Sequence, residues 1–453
     1  MGTRGMRRGG VAAVLAAVAV VAGSPPALAL DLTFERTWGG AEGLFSPVEQ
    51  AEGVAAAPDG SAYIIGQTPS FGTGADNGNS DIFLIKYAPD GTIAWQRTYG
   101  VGATGLNNFG MDVEVAPDGT VWITGELQGS VLLAQFDASG NLLSERTFVG
   151  ISSPRAIDIA DDGGIYVTGF EFPGAGQGDA FVMKSAPDGT LVWLRTWGSA
   201  NGFDIGFDVA AASDGTVYIT GDSGNEAFLA KFDADGNLIW DRTWHAGTSQ
   251  DFTQSRGVAV GPDGNLYLTG TALIFGVSQN AVLVNFAPDG SVIWERTWLA
   301  RDVSDAFGIA VAPGGNIYIT GTEVTFKNND DDQAFVVEFL PDGDVDQAVT
   351  WGAVNRDANP DDPATVSDQI AQAIAVADDG SLFLAGGTTG PPPYDFGKAT
   401  KKIGTPDSTL GILDGTVTTP ETTVADPNGI VQVPNGSETY AGGTDAFVLK
   451  ITP

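Results

Sequence analysis

The sequence predicts an all-β fold: a seven-bladed β-propeller, four antiparallel strands per blade, with the last blade closed by the N-terminal strand. Three observations predict it. A unit of four short strands recurs, its outer strand marked by Arg36, Arg97, Arg146, Arg195, Arg242 and Arg296, which stand 61, 49, 49, 47 and 54 residues apart. No segment past the first thirty residues sustains a helical period. The turns are also unequal in number. Those between the first and second strands centre on Asp59, Asp118, Asp162, Asp214, Asp263, Gly314 and Asp379. Those between the third and fourth centre on Asp90, Ser139, Asp188, Asp235, Asp289 and Asp342. One outer strand is missing at the C-terminal end and one, Leu32–Trp38, is spare at the other. Pairing the spare strand with the last unit closes a ring and removes an exposed sheet edge.

Residues 1–29 read as a secretory signal. Arg4, Arg7 and Arg8 give a basic start, Val11–Gly23 a small-residue apolar run, and Ala27-Leu28-Ala29 a cleavage motif. The run is too short to span a bilayer. The Arg7-Arg8 pair lacks the preceding Ser or Thr and the following Phe-Leu of a twin-arginine signal. Residues 30–453 are then the propeller, expected to be secreted and monomeric. The chain has no Cys, which excludes disulfides, thiolate-bound zinc and a lipid-modified cysteine. A formal net charge of −35 argues against nucleic acid and anionic lipid as partners, since both need basic surface.

Within a unit the order is Trp193-Leu-Arg-Thr-Trp-Gly198, Asp208-Val-Ala, Ser213-Asp-Gly215, Val217-Tyr-Ile-Thr-Gly221, Ala227-Phe-Leu-Ala-Lys-Phe232 and Asp235-Gly236. The runs are rich in β-branched and aromatic residues and bounded by Gly, Asp and Pro, as hairpin strands are. In Pro-Asp-Gly the proline fixes φ, the aspartate bonds its own backbone, and the glycine accepts positive φ. The strands are lettered A to D outward from the axis.

These units resemble the bacterial SBBP β-propeller repeat. The resemblance rests on Gly308-Ile-Ala-Val311, Tyr318-Ile-Thr-Gly321 and Asp445-Ala-Phe-Val-Leu-Lys450, with close copies in every unit. It covers nearly all of the chain from Leu32 to Pro453 and implies a fold, not a chemistry. The outer strand departs from the family, reading Trp-x-Arg-Thr-Trp.

The A–B and C–D turns are uniform, whereas the B–C and D–A connections vary. Variable connections on a rigid frame are where binding resides. The longest, an insertion over 387–444, is rich in Thr, Pro and Gly and carries Lys398, Lys401 and Lys402, a basic cluster in an acidic chain. It reads as a recognition arm over the channel mouth or as a plain surface insertion.

By the repeat pattern, Asp112, Asp158 and Asp208 are expected to share one repeat position before the innermost strand, where other units have Gly53, Gly257, Gly308 and Ala373. With Asp204 and Asp305 from adjoining loops they form a candidate site for Ca²⁺, which prefers several oxygens. The alternative is that each aspartate caps its strand. Asp81, Asp179, Glu226, Asn280, Gln333 and Asp445 precede strand C and read as structural caps. Nine of ten Trp fall in strand D, where Trp and Arg two residues apart share a face. That predicts stacking between blades more than a sugar platform. Asn328-Asn-Asp-Asp-Asp332 lacks a full EF-hand pattern. His245 is the only histidine, so any mechanism needing two fails.

Two functions follow. The first is a secreted, non-enzymatic scaffold binding an extracellular protein or glycan through the B–C and D–A face. The second is a hydrolase or lyase acting on a polysaccharide through channel carboxylates, with or without Ca²⁺.

Overall fold

A computed structural model describes residues 30–39, 49–69, 71, 79–100, 107–171, 178–198, 202–244, 252–274, 278–299, 303–324, 332–353, 368–389, 394–398 and 445–452. The signal segment, Lys401, Lys402 and His245 lie outside them, as does most of Asn328–Asp332.

The described residues are strands and tight turns. β1 (Asp31–Trp38) comes first. One meander follows: β2 (Gln50–Ala56), β3 (Ala62–Thr68), β4 (Asp81–Tyr87) and β5 (Ile93–Tyr99). The next is β6 (Phe109–Val115), β7 (Val121–Leu127), β8 (Ser130–Phe136) and β9 (Leu142–Phe148). Then come β10 (Pro154–Ile159), β11 (Ile165–Glu171), β12 (Asp179–Ser185) and β13 (Leu191–Trp197). β14 (Asp204–Ala211), β15 (Val217–Ser223), β16 (Glu226–Phe232) and β17 (Leu238–Trp244) repeat the plan. So do β18 (Phe252–Val260), β19 (Leu266–Ile274), β20 (Ser278–Phe286) and β21 (Val292–Trp298). β22 (Val303–Val311), β23 (Ile317–Val324), β24 (Gln333–Phe339) and β25 (Val345–Ala353) follow. The last sheet joins β26 (Gln369–Val376), β27 (Leu382–Thr388) and β29 (Asp445–Thr452) to β1, in the order β1-β29-β27-β26. β28 (Tyr394–Lys398) adds to the outer edge of β25.

The result is a β-propeller. Neighbouring innermost strands meet in the sequence β2, β6, β10, β14, β18, β22, β26 and back to β2. The chain ends are tied in register, with Leu32 opposite Ile451 and Thr37 opposite Phe447.

Strands B and C are buried almost throughout and form the cores between sheets. Residues such as Tyr63, Ile65, Leu84, Ile123 and Leu132 from adjacent sheets share one apolar cluster. Each Pro-Asp-Gly turn closes as its chemistry dictates. In the first, Gly60 sits at φ +79°, Ser61 N–H donates to Asp59 Oδ1 at 3.0 Å, and Lys86 pairs with the other oxygen at 3.1 Å.

The outer strands fasten one sheet to the next. Arg97 stacks over Trp95 at 5.3 Å and its Nε donates to the Gly140 carbonyl of the following sheet at 3.0 Å. Arg195 does the same with Trp193 and Gly236, and Arg296 with Trp294 and Gly343. Trp95 and Trp193 donate their indole N–H to Ala138 and Ala234 carbonyls in those same turns. The Trp and Arg pattern of strand D is thus spent on packing between sheets.

Candidate functional site

Each innermost strand carries a β-bulge at the same place. The register skips one residue between Ala51 and Gly53, Gly110 and Asp112, Pro154 and Ala156, and Gly206 and Asp208. It skips another between Ser255 and Gly257, Ala306 and Gly308, and Ala371 and Ala373. The skipped residues are Glu52, Met111, Arg155, Phe207, Arg256, Phe307 and Gln372. A bulge re-aims one side chain out of the pleat. All seven line one cavity of about 380 Å³ at the centre of the ring. They stand at the start of strand A, the end from which the B–C and D–A connections leave.

The repeated glycine of strand B makes the bulge possible. A Cβ at Gly66 would overlap the Gln50 carbonyl oxygen, and one at Gly221 would overlap that of Ile205. The same holds for Gly125 with Phe109, Gly169 with Ser153, Gly270 with Gln254, Gly321 with Asp305 and Gly386 with Ile370. The glycine that recurs in every strand B therefore admits the kinked backbone beside it.

The seven side chains differ although their frames are alike. Arg155, Phe207 and Arg256 occupy three consecutive strands. Arg256 lies 3.9 Å from the Phe207 ring centre, and Arg155 lies 6.0 Å from it and 5.4 Å from Phe170. Arg155 Nε is buried with no acceptor among the described residues. Burial lowers the pKa of both arginines, and Glu52 and Glu126 oppose this at Arg155. Burial also pushes the Glu52 carboxyl up to about 7, against the pull of Arg155.

Deeper in the same cavity stand Asp112, Glu114, Asp158 and Asp208. Their placement corrects the sequence reading in two ways. They lie within the innermost strands, not before them. Asp158 also does not share the repeat position of Asp112 and Asp208. Those two pair with Thr124 and Thr220, whereas Ala156 pairs with the equivalent Thr168. Asp158 sits two residues further on, level with Glu114. The pattern misled because Asp-Ile-Ala in this unit mimics Asp-Val-Ala in the next.

Each of the three aspartates joins two strands. Asp112 accepts its own neighbour Val113 N–H at 2.8 Å and Ile157 N–H of the next strand at 3.0 Å. Asp208 takes Val209 and Val258 in the same way, both at 2.8 Å. Asp158 takes Ile159 at 2.7 Å and Ala211 at 2.6 Å. These amides lie on the exposed edge of the innermost strands, where no fifth strand supplies acceptors. Gly53 leaves room beside this ring, since a Cβ there would press on Asp112. Burial pushes Asp112 up to about 7 and Asp158 to about 6, and raises Asp208 and Glu114 well above the ordinary range.

The remaining expected ligands lie elsewhere. Asp204 is fully buried at the head of β14, and Asp305 accepts Gln279 Nε2 at 2.6 Å; neither lines the cavity. Among the described residues no group of three or more acidic or histidine side chains stands close enough to hold a cation together. The oxygens of Asp112, Asp158 and Asp208 accept backbone amides, as strand caps do. Lys398 ends β28, opposite Val349 on the outer rim and away from the cavity. The residues before strand C behave as structure. Asp81 accepts Asn108 Nδ2 at 3.1 Å, and a Cβ at Gly100, Gly198 or Gly39 would strike Asp81, Asp179 or Asp445.

No family model and no curated protein matches the sequence. Solved structures do match in shape. Virginiamycin B lyase from Staphylococcus aureus with quinupristin is 14% identical, with a TM-score of 0.48, over 78% of this chain and 96% of that one. An ulvan lyase of a polysaccharide lyase family is 12% identical, with a TM-score of 0.45, over 78% and 93% of the two chains. The Dos1 propeller is 12% identical, with a TM-score of 0.42, over 78% and 92%. Likeness of this extent says nothing about activity.

Proposed function

We propose that the chain is a secreted seven-bladed β-propeller that binds an extracellular glycan or protein at the mouth of its central cavity. The observation that supports this reading is the bulge ring. Seven near-identical frames each turn one side chain inward, and the seven side chains are Glu, Met, Arg, Phe, Arg, Phe and Gln. A purely structural position repeats its residue type, as the strand B glycine does. A cavity of about 380 Å³ is within the range of ligand pockets, roughly 300–1,000 Å³. The test is a glycan and secreted-protein array probed with the wild-type chain and with Gln372→Trp, which fills the cavity from a bulge position. Binding lost in a variant that melts normally supports the reading, and an unchanged binding profile refutes it. Running the array with and without calcium tests the cation expected at Asp112, Asp158 and Asp208.

The second reading is a polysaccharide hydrolase or lyase. It is favoured by Glu52 and Glu114, which line the cavity: burial pushes the Glu52 carboxyl up to about 7, the range of a general acid, and raises that of Glu114 well above its ordinary value. Turnover of a polysaccharide panel that falls at least a hundredfold in Glu52→Gln or Glu114→Gln would establish it. No turnover of any substrate in the wild type would end it.

A further inference from the structure

Two arginines flank one phenylalanine at the cavity mouth of a chain whose formal net charge is −35. Their guanidiniums are held by ring faces: Arg256 against Phe207 at 3.9 Å, and Arg155 between Phe170 and Phe207. Stacking of this kind engages the flat face of a guanidinium and leaves its in-plane N–H fork free. Among the described residues Arg155 has no hydrogen-bond acceptor, and its Nε is buried without one. Arg256 donates one Nη2 hydrogen bond, to Gln254 Oε1 at 2.8 Å. Glu52, Glu126, Asp222 and Asp305 lie near enough to act on the pair electrostatically, yet none forms an ion pair with it. Two desolvated guanidiniums with unmet donors repel one another and are stabilised by an anion placed between them.

The rest of the ring indicates the body that carries the anion. Phe307 and Met111 give apolar surface, and Gln372 and Glu52 stand beside them with hydrogen-bonding groups. Apolar faces interleaved with such groups fit a pyranose ring, which has C–H faces and a hydroxyl rim.

We propose that Arg155, Phe207 and Arg256 form the anion-recognition subsite of the cavity, seating the carboxylate or sulfate ester of an acidic sugar whose ring lies toward Phe307 and Gln372. The inference rests on the cavity being the binding site and adds the class of ligand.

The experiment is titration calorimetry at low ionic strength with D-glucuronate, D-glucose 6-sulfate and neutral D-glucose. The variants are Arg155→Gln, Arg256→Gln, Arg256→Lys and Gln372→Trp, each checked by its melting curve. The wild type is expected to bind at least one acidic sugar ten or more times more tightly than glucose. Each Arg→Gln change should remove about tenfold of that preference, with partial recovery in Arg256→Lys. The stronger of the two acidic probes identifies carboxylate or sulfate as the natural group. Acidic sugars binding no better than glucose overturn the proposal, as does affinity that shifts less than twofold in both Arg→Gln variants. If Gln372→Trp abolishes array binding while the arginines are silent, the cavity reading stands and the anion class falls. If acidic sugars bind equally well to Gln372→Trp, the cavity reading falls with it.

Discussion

Asp112 on β6 accepts the backbone N–H of Ile157 on β10 at 3.0 Å, so a side chain of one sheet caps the open inner edge of the next. Asp208 reaches Val258 and Asp158 reaches Ala211 by the same device. Three carboxylates thus stitch β6, β10, β14 and β18 together around the cavity. Replacing Asp112 by Asn keeps one acceptor and turns a donor toward the other amide. The expected cost is about 1–3 kcal/mol, that of a buried amide left without its acceptor. Urea unfolding of Asp112→Asn and Asp208→Asn measures it, and losses below about 0.5 kcal/mol in both would remove these carboxylates from the account of stability.

Buried carboxyls, Asp112 and Asp158 among them, set the pH dependence of folding. Glu52 and Asp112 are pushed up to about 7 and Asp158 and Asp222 to about 6, chiefly by burial. A carboxyl raised on folding contributes its full stabilisation below its unfolded value and loses it as pH rises through the folded value. Asp118 and Asp214 go the other way, lowered by the hydroxyl and N–H of Thr120 and Thr216. Their contribution is present above the unfolded value and fades only as pH falls below it. The melting temperature should therefore peak near about pH 4 and decline from there to about pH 7. Asp112→Asn should flatten that decline. A wild-type melting temperature that rises from pH 5 to 8 would contradict the assignment.

Much of the frame is legible in the sequence because it is repeated. Pro-Asp-Gly, Tyr-Ile-Thr-Gly and Trp-x-Arg-Thr-Trp each have a local physical reason, and repetition multiplies the signal. Pairing of the two chain ends is legible for the same reason, since a spare strand D and a missing one are arithmetic. The cavity ring is not legible that way. Glu52, Met111, Arg155, Phe207, Arg256, Phe307 and Gln372 are of five residue types, none common to all, so a search for recurrence passes over them. The signal lies in the contrast: a variable residue directly after a small one (Ala, Gly, Pro or Ser), seven positions before each A–B turn centre. Period-two alternation would place that residue on the wrong face, because the bulge breaks the alternation. Asp158 departs from its expected position for a related reason, as a two-residue slip keeps the face and changes only the depth.

The strand B glycines bear directly on the site. At Gly221 a Cβ would overlap the Ile205 carbonyl oxygen, and backbone cannot step aside as a side chain can. Gly221→Ala should destabilise the chain by about 1–3 kcal/mol through overpacking. It should also displace Phe207, the residue at the bulge opposite, from its place under Arg256. Thermal melts read the first effect. The second is read by ligand affinity in a variant that still folds, and should appear as a loss comparable to that of Phe207→Ala. Full affinity in Gly221→Ala would show that the bulge does not depend on this glycine.

Ring closure offers a test of the outer fastening. Arg36, on the strand that seals the last sheet, stacks over Phe34 at 5.5 Å and donates Nε to the Gly91 carbonyl at 2.9 Å. Trp351 reaches Glu35 of the same strand from the other side at 3.2 Å. Arg97 makes the equivalent bond to Gly140 far from the seam. Arg36→Ala and Arg97→Ala remove the same charged hydrogen bond, each at a cost of about 1–2 kcal/mol. They differ in what they loosen. Among the described residues β1 pairs as a strand with β29 alone, so Arg36→Ala should raise amide exchange over residues 31–38 and 445–452, while Arg97→Ala should leave those amides protected. Equal protection of the seam in both variants would show that pairing with β29 holds β1 without help from the outer clasp.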